Sequence, residues 1–292
     1  MSQMERIGVA LRSYNRIEDA VIQVKYLWKH FKAYPYYVVV VTNGDAQGHV
    51  YPAGQGEDAV LRLDKGNPGH LCGDNDMFKA SIEHLHAQGI RYALCLTSDT
   101  WLLNEQLLKK YLPRLIAGRH QWISAQWDTP PEVALDLMLV DVKFVLEHQL
   151  FWADWSPEIL IYQRLEALVS PEYPRPYGRI REIFPIQYPR HLWRPGFDPS
   201  GSYHALGRPF YFPRAAVVTH HAELLPDGMT SKKRYANECV GRELFPDVGY
   251  EARQLKEMRL RRWYRRCYHA IDDVLFPLYR PFYTHPPSPS LS

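Results

Sequence analysis

The sequence predicts an α/β protein built on a doubly wound, mainly parallel sheet, and three observations carry that prediction. Residues 7–11, 36–41 and 92–96 are short apolar runs, suited to strands buried on both faces. The segments that follow them carry apolar residues at helical spacing. Turn signals such as Thr42-Asn43-Gly44-Asp45 close the strands. Strand, helix, strand with doubly apolar strands is a βαβ unit, which requires parallel pairing.

Taken in order, the first strand Ile7-Gly8-Val9-Ala10-Leu11 is broken by the polar Arg12-Ser13-Tyr14-Asn15-Arg16. Glu18 and Asp19 stand where a helix's first turn favours acids, and Ala20, Val21, Val24, Leu27, Trp28 and Phe31 continue that helix. The second strand, 36–41, is β-branched and aromatic. Residues 46–76 contain many Gly, Asp and Pro and read mostly as loop, with a short strand at 60–63. Asp74-Asn75-Asp76 precedes a helix predicted at 77–88. The strand at 92–96 runs into Asp99, and a helix is expected at 104–115. The first part of the chain is therefore β-α-β-β-α-β-α. A further strand is predicted at 121–125, and 133–144 is an apolar stretch. Pro157 and Glu158 suit the start of a helix that runs through Leu165.

Residues 170–212 are rich in Pro, Arg and aromatics and show little periodicity. A connection that long is functional or disordered, and its aromatics argue against disorder. It reads as a lid or an acceptor-binding insertion. Residues 251–276 form a C-terminal helix candidate, with an apolar stripe that includes Leu255, Met258, Trp263 and Ile271 and a crowd of Arg and Lys. A basic amphipathic helix with Trp and Tyr reads as a membrane-surface element, or else as a helix packed on the domain with a solvated basic face. The expected division is one α/β domain over 1–245 and a basic helix and tail over 246–292.

The net charge is only +3, so nothing global demands nucleic acid, and the basic C-terminal segment contains no recognisable DNA- or RNA-binding module. Four cysteines, Cys72, Cys95, Cys239 and Cys267, are too widely spaced for a zinc site or a disulfide framework and read as reduced thiols of a cytoplasmic protein. Met1 to Arg6 is polar and leads straight into a strand, so no secretory signal is expected. No apolar run reaches the roughly 18 residues a transmembrane helix needs.

Three groups of residues invite chemistry. Asp99 follows a buried strand, which puts it at the carboxyl edge of the sheet, where open α/β sheets bind ligands. A carboxylate there, facing a phosphate, is explained by a divalent cation between them; the plain alternative is that Asp99 caps the next helix. Asp74 and Asp76 form a local D-x-D, but Asp at a helix start is a common cap, and we prefer that reading. His220 and His221 end an apolar run; taken alone, such a pair is more often structural than metal-binding.

The order of these pieces resembles the GT-A glycosyltransferases, in particular the inverting family-2 enzymes that include rhamnosyltransferase-like proteins. Residues 7–16 resemble their first strand, which ends in T-x-Y-N-R, with Arg12 in place of Thr. Val39-Val40-Val41-Thr42-Asn43-Gly44-Asp45 resembles V-V-D-N-G-S, with Thr42 where Asp is usual. Leu96-Thr97-Ser98-Asp99-Thr100 resembles L-N-N-D-T, a D-x-D variant that keeps only the second acid. Residues 157–164 resemble E-D-x-x-L-x-x-R, with Pro157 before the acid Glu158. Residues 211–221 resemble the family's P-x-A-x-V-x-H stretch.

The resemblance implies a GT-A fold and inverting transfer of a sugar from a nucleotide diphosphate sugar to an acceptor hydroxyl, on a cell-surface glycan or glycolipid. It implies Mn²⁺ or Mg²⁺ on Asp99, completed by His220 or His221, a His ligand favouring Mn²⁺. Glu158 is implied as the general base. Tyr14 would flank the nucleotide base, Asn43 and Asp45 would hydrogen-bond base and ribose, and Arg16 would reach phosphate. Arg12, Asn15, Asp74 and Ser98 complete the implied donor-binding set. Helix 251–276 would hold such an enzyme peripherally on the inner membrane face. Two other readings stay open: a sugar nucleotidyltransferase, although residues 11–16 lack its glycine-rich phosphate loop, and a non-catalytic binding protein on a degenerate GT-A scaffold.

Overall fold

The computed structural model describes residues 5–124, 133–152, 157–180, 211–212, 217–218, 228–240 and 242–248. In chain order the elements are β1 (Ile7–Ser13), α1 (Ile17–His30), β2 (Tyr36–Thr42), β3 (Ala59–Arg62), α2 (His70–Ala87), β4 (Tyr92–Thr97), β5 (Trp101–Leu102), α3 (Gln106–Ile116), β6 (Trp122–Ser124), β7 (Leu137–Asp141), α4 (Val142–Glu147), α5 (Pro157–Ala167), β8 (Tyr177–Arg179), β9 (Tyr211–Phe212), β10 (Val217–Val218) and α6 (Met229–Val240).

The main sheet has the strand order β3-β2-β1-β4-β7-β6-β8. The pairs β1–β2, β1–β4, β2–β3 and β6–β8 are parallel, and β7 runs antiparallel to both β4 and β6. The α/β class with a mainly parallel sheet is as the sequence predicts. Period-two alternation sorts each strand onto two cores. Val9, Leu11, Val40, Leu94 and Leu96 meet Val24 and Leu27 of α1 and Leu108 and Leu112 of α3. Ala10, Val39, Val41 and Cys95 meet Phe78, Ile82 and Leu85 of α2 and Ile161 and Leu165 of α5. Each fully buried Leu, Ile or Val stabilises by roughly 1.5–3 kcal/mol, so a register slip that turned β1 or β4 over would be heavily penalised.

A second, three-stranded sheet joins β5, β10 and β9 in antiparallel pairs. It sits on the α1/α3 side, where Trp101, Leu102, Val217 and Val218 are fully buried. It therefore ties the chain immediately after Asp99 to the segment around 217.

One expectation is corrected. The helix expected at 77–88 begins at His70, so Asp74, Asn75 and Asp76 lie inside α2 rather than capping it. Gly73 and the polar residues hid the helical period there, and tertiary contacts supply what local propensity does not. Asp74 pairs with Arg12 at 2.8 Å, the Gly73 carbonyl accepts from Asn43 at 3.1 Å, and Asn75 Oδ1 accepts from the Trp152 amide at 2.7 Å. Within the stretch 170–212, β8 extends the main sheet beside β6. Residues 181–210 of that stretch, and the helix expected at 251–276, lie outside the described residues.

Candidate active site

Parallel pairing brings three strand ends to one edge. Ser13 is opposite Thr42, and Arg12 is opposite both Val41 and Thr97. Tyr14, Asn15, Arg16, Asn43, Ser98 and Asp99 therefore all leave the sheet at its carboxyl edge, where an open α/β sheet has its crevice. The loops there touch backbone to backbone. A Cβ on Gly44 would lie 2.2 Å from the Tyr14 carbonyl oxygen, so no side chain fits at 44. Tyr14 in turn meets the His49 ring edge-on, with centroids 5.3 Å apart. Asn43 is buried; its amide donates to the Gly73 carbonyl, and its Oδ1 has no hydrogen-bond partner among the described residues. A buried amide oxygen left open at such an edge costs free energy unless a donor reaches it.

Several residues expected to bind the donor are engaged elsewhere. Arg12 is buried, paired with Asp74, hydrogen-bonded to the Leu135 carbonyl and set over the Phe78 ring at 5.4 Å. Asp45 accepts from the Thr42 hydroxyl at 2.6 Å and pairs with Arg62. Ser98 is buried, with its amide on the Arg12 carbonyl at 2.8 Å. Asn15 is exposed at the rim.

Asp99 is half-buried and does not cap α3. That helix begins at Gln106, and it is Asn104 Oδ1 that accepts from the Gln106 amide, at 2.9 Å. The capping explanation of Asp99 therefore falls. Its surroundings are charged. Burial lowers the pKa of the Arg16 guanidinium, while Asp99 and Asp19 push it back up. Lys232 of α6 is completely buried; its Nζ donates to Asp19 of α1 and, at 2.6 Å, to the Asp99 backbone carbonyl. The same ammonium lies 4.4 Å from the Trp101 ring centre. Burial lowers the Lys232 pKa and raises that of Asp19, and the charge of each opposes this in the other.

A second acid is bonded to the two ends of the Asp99 loop. Asp136, just before β7, accepts from the Thr100 hydroxyl at 3.3 Å, and its carbonyl accepts from the Thr97 amide at 3.1 Å. Three residues back, the Val133 amide reaches the Glu158 carbonyl at 3.3 Å. Glu158 is half-buried in the first turn of α5, as the sequence predicts. Arg164 of the same helix donates to the carbonyls of Gln149 and Phe151. The 133–136 segment thus bridges the Asp99 side of the crevice and the start of α5.

Among the described residues, no three His, Cys, Asp or Glu side chains gather as a metal cage. Magnesium-type sites need no cage: one or two carboxylates plus substrate phosphates and water suffice. Asp99, a half-buried oxygen donor at the edge where a diphosphate would lie, fits such a shared site. His220 and His221 lie outside the described residues.

Asp19, Lys232 and Asp136 did not stand out in the sequence. Asp19 reads as an ordinary first-turn acid; the available signal was its place beside Ala20 and Gln23 on the buried stripe of α1. Lys232 lies in the run Ser231-Lys232-Lys233-Arg234 and gives no local sign of burial.

No protein-family model and no curated protein matches the chain. Solved structures with a similar backbone include the mannosyltransferase PcManGT from Pyrobaculum calidifontis in complex with GDP-Man and Mn²⁺, at 10% identity and a TM-score of 0.45, covering 63% of this chain and 56% of that one. S. aureus TarS 1-349 in complex with UDP-GlcNAc gives 13% identity and a TM-score of 0.42 over 81% of this chain and 72% of that one. A cytidylyltransferase from Leptospira borgpetersenii gives 13% and 0.41 over 61% and 76%. The chain spans 35% of the length of S. aureus TarS and about half to three-quarters of these other chains.

Proposed function

We propose that the protein is a nucleotide-sugar-dependent glycosyltransferase of the GT-A kind. The observation that carries this reading is Asp99: it stands at the carboxyl edge of β4, beside the loops after β1 and β2, and α3, which begins only at Gln106, is not capped by it. The first three motifs quoted above, at 7–16, 39–45 and 96–100, end together at that edge.

In this reading Asn43 Oδ1 receives a donor hydrogen bond from the nucleotide, and Tyr14, braced by His49, flanks the base. Arg16, which lies within the field of Asp99, meets the diphosphate. Asp99 holds a Mg²⁺ or Mn²⁺ together with the diphosphate, and the ion, when bound, neutralises charge on the leaving group. Glu158 takes the proton of the acceptor hydroxyl as that oxygen bonds to the anomeric carbon, and the sugar's bond to the nucleoside diphosphate breaks with its electron pair. Attack opposite the leaving group gives inversion. The acceptor is a glycan or glycolipid, and the basic segment 251–276 meets an anionic membrane surface.

Thermal-shift binding against a set of nucleoside diphosphates, with and without Mn²⁺, tests the reading, because a ligand that binds only the folded state raises its melting temperature. A shift with one diphosphate that needs Mn²⁺ and vanishes in Asp99→Ala is expected. No shift with any of them would overturn it in favour of a non-catalytic scaffold.

A further inference from the structure

The Asp99 loop is held from outside the sheet that delivers it. On its carboxyl side the chain passes at once into β5, which pairs with β10 through Trp101↔Val218 and Leu102↔Val217. From α6, Lys232 reaches across to the Asp99 carbonyl and to Asp19. This lysine has no exposed surface, and its ammonium rests on the Trp101 ring, itself fully buried. A buried ammonium is costly unless it is paired and hydrogen-bonded. Here both conditions are met by one acid and one carbonyl, and the carbonyl belongs to the residue at the centre of the crevice.

We propose that Lys232 is a positioning residue: by gripping the Asp99 carbonyl it fixes the loop that presents the Asp99 carboxylate, so that docking of α6 sets that carboxylate's affinity for a divalent cation. The inference rests on the reading of Asp99 as the acid that meets the donor diphosphate. A fixed peptide orients its side chain, and groups that orient metal-binding residues typically change metal affinity about 10–100-fold when removed. With a sequence separation of 213 between Lys232 and Asp19, this is a long-range link. The segment that follows β10 thereby acts on the donor side of the site.

Charge and position must be separated in the test. Lys232→Met alone removes a cation and leaves Asp19 unpaired, whereas Asp19→Leu with Lys232→Met removes one charge of each sign and keeps the net charge beside Asp99. Calorimetric titration with UDP and with GDP, each with and without saturating Mn²⁺, gives the factor by which the ion tightens nucleotide binding. The double variant should keep the metal-free dissociation constant and lose that factor by about tenfold or more. A double variant whose Mn²⁺ factor equals or exceeds that of the unmodified protein overturns the proposal, even where Lys232→Met alone weakens binding. The Asp99→Asn protein reports on the underlying reading. If it keeps the full Mn²⁺ factor, or if the unmodified protein shows none, the role of Asp99 fails and this proposal falls with it.

Discussion

Cutting one side of the Lys232–Asp19 pair should be far more damaging than cutting both. The side chains are 0% and 3% exposed, so neither charge is relieved by water when its partner is lost. Removing one member of a buried pair costs about 3–5 kcal/mol, mostly from the charge left behind, while replacing both by apolar groups of similar volume is often neutral. Lys232→Met also gives up the ammonium–Trp101 contact, worth up to about 2 kcal/mol when desolvated. For a chain of this size each kcal/mol moves the melting temperature by about 2–4 °C, so Lys232→Met should lower it by roughly 6–28 °C. The double variant with Asp19→Leu should melt above either single variant. Urea unfolding of the four proteins closes the cycle and yields the coupling energy directly. A double variant destabilised by the full total of the two singles would refute the pair as described. So would a Lys232→Met cost below about 1 kcal/mol, which would put Lys232 at the surface.

Three other outcomes follow from the same geometry. Gly44→Ala forces a Cβ against the Tyr14 carbonyl, which is backbone and cannot swing aside; a loss of about 1–3 kcal/mol is expected, with weakened nucleotide binding, measured by thermal unfolding and titration. Gln149 has a φ of 49° just past α4, where the Leu150 and Gln149 amides return to the carbonyls of Val145 and Leu146; Gln149→Gly should gain up to about 1 kcal/mol by removing the left-handed strain. Burial raises the Asp45 pKa, but hydrogen bonds from Thr42 and Arg62 outweigh it and hold the carboxyl below 3.8. A depressed folded pKa stabilises above the unfolded value and loses that stabilisation as pH falls through the folded one. The stability gap between the unmodified protein and Asp45→Asn should therefore be constant above 3.8 and close below it, as a pH series of melting curves would show.

The sequence made the sheet legible because its strands are apolar on both faces, and hydrophobic runs of that kind have few other structures open to them. It also made the edge legible: a strand that stops at Asp99 and one that stops at Asn43 must deliver those residues together once the strands are parallel. The start of α2 was not legible, because its first turns are held by Arg12, Asn43 and the Trp152 amide, none of them near in sequence. Arg12 shows the same limit from the other side. A strand-end arginine looks like a phosphate ligand until α2 supplies Asp74, and then its charge is spent inside the fold. Lys232 is the extreme case. A lysine between Ser231 and Lys233 is locally indistinguishable from a solvated one, and Asp19, Asp99 and Trp101, brought up by two other parts of the chain, make it a buried group. Motif reading locates residues whose role is set by the strand they end. It passes over residues whose role is set by what crosses above them, and at this site those residues hold the acid in place.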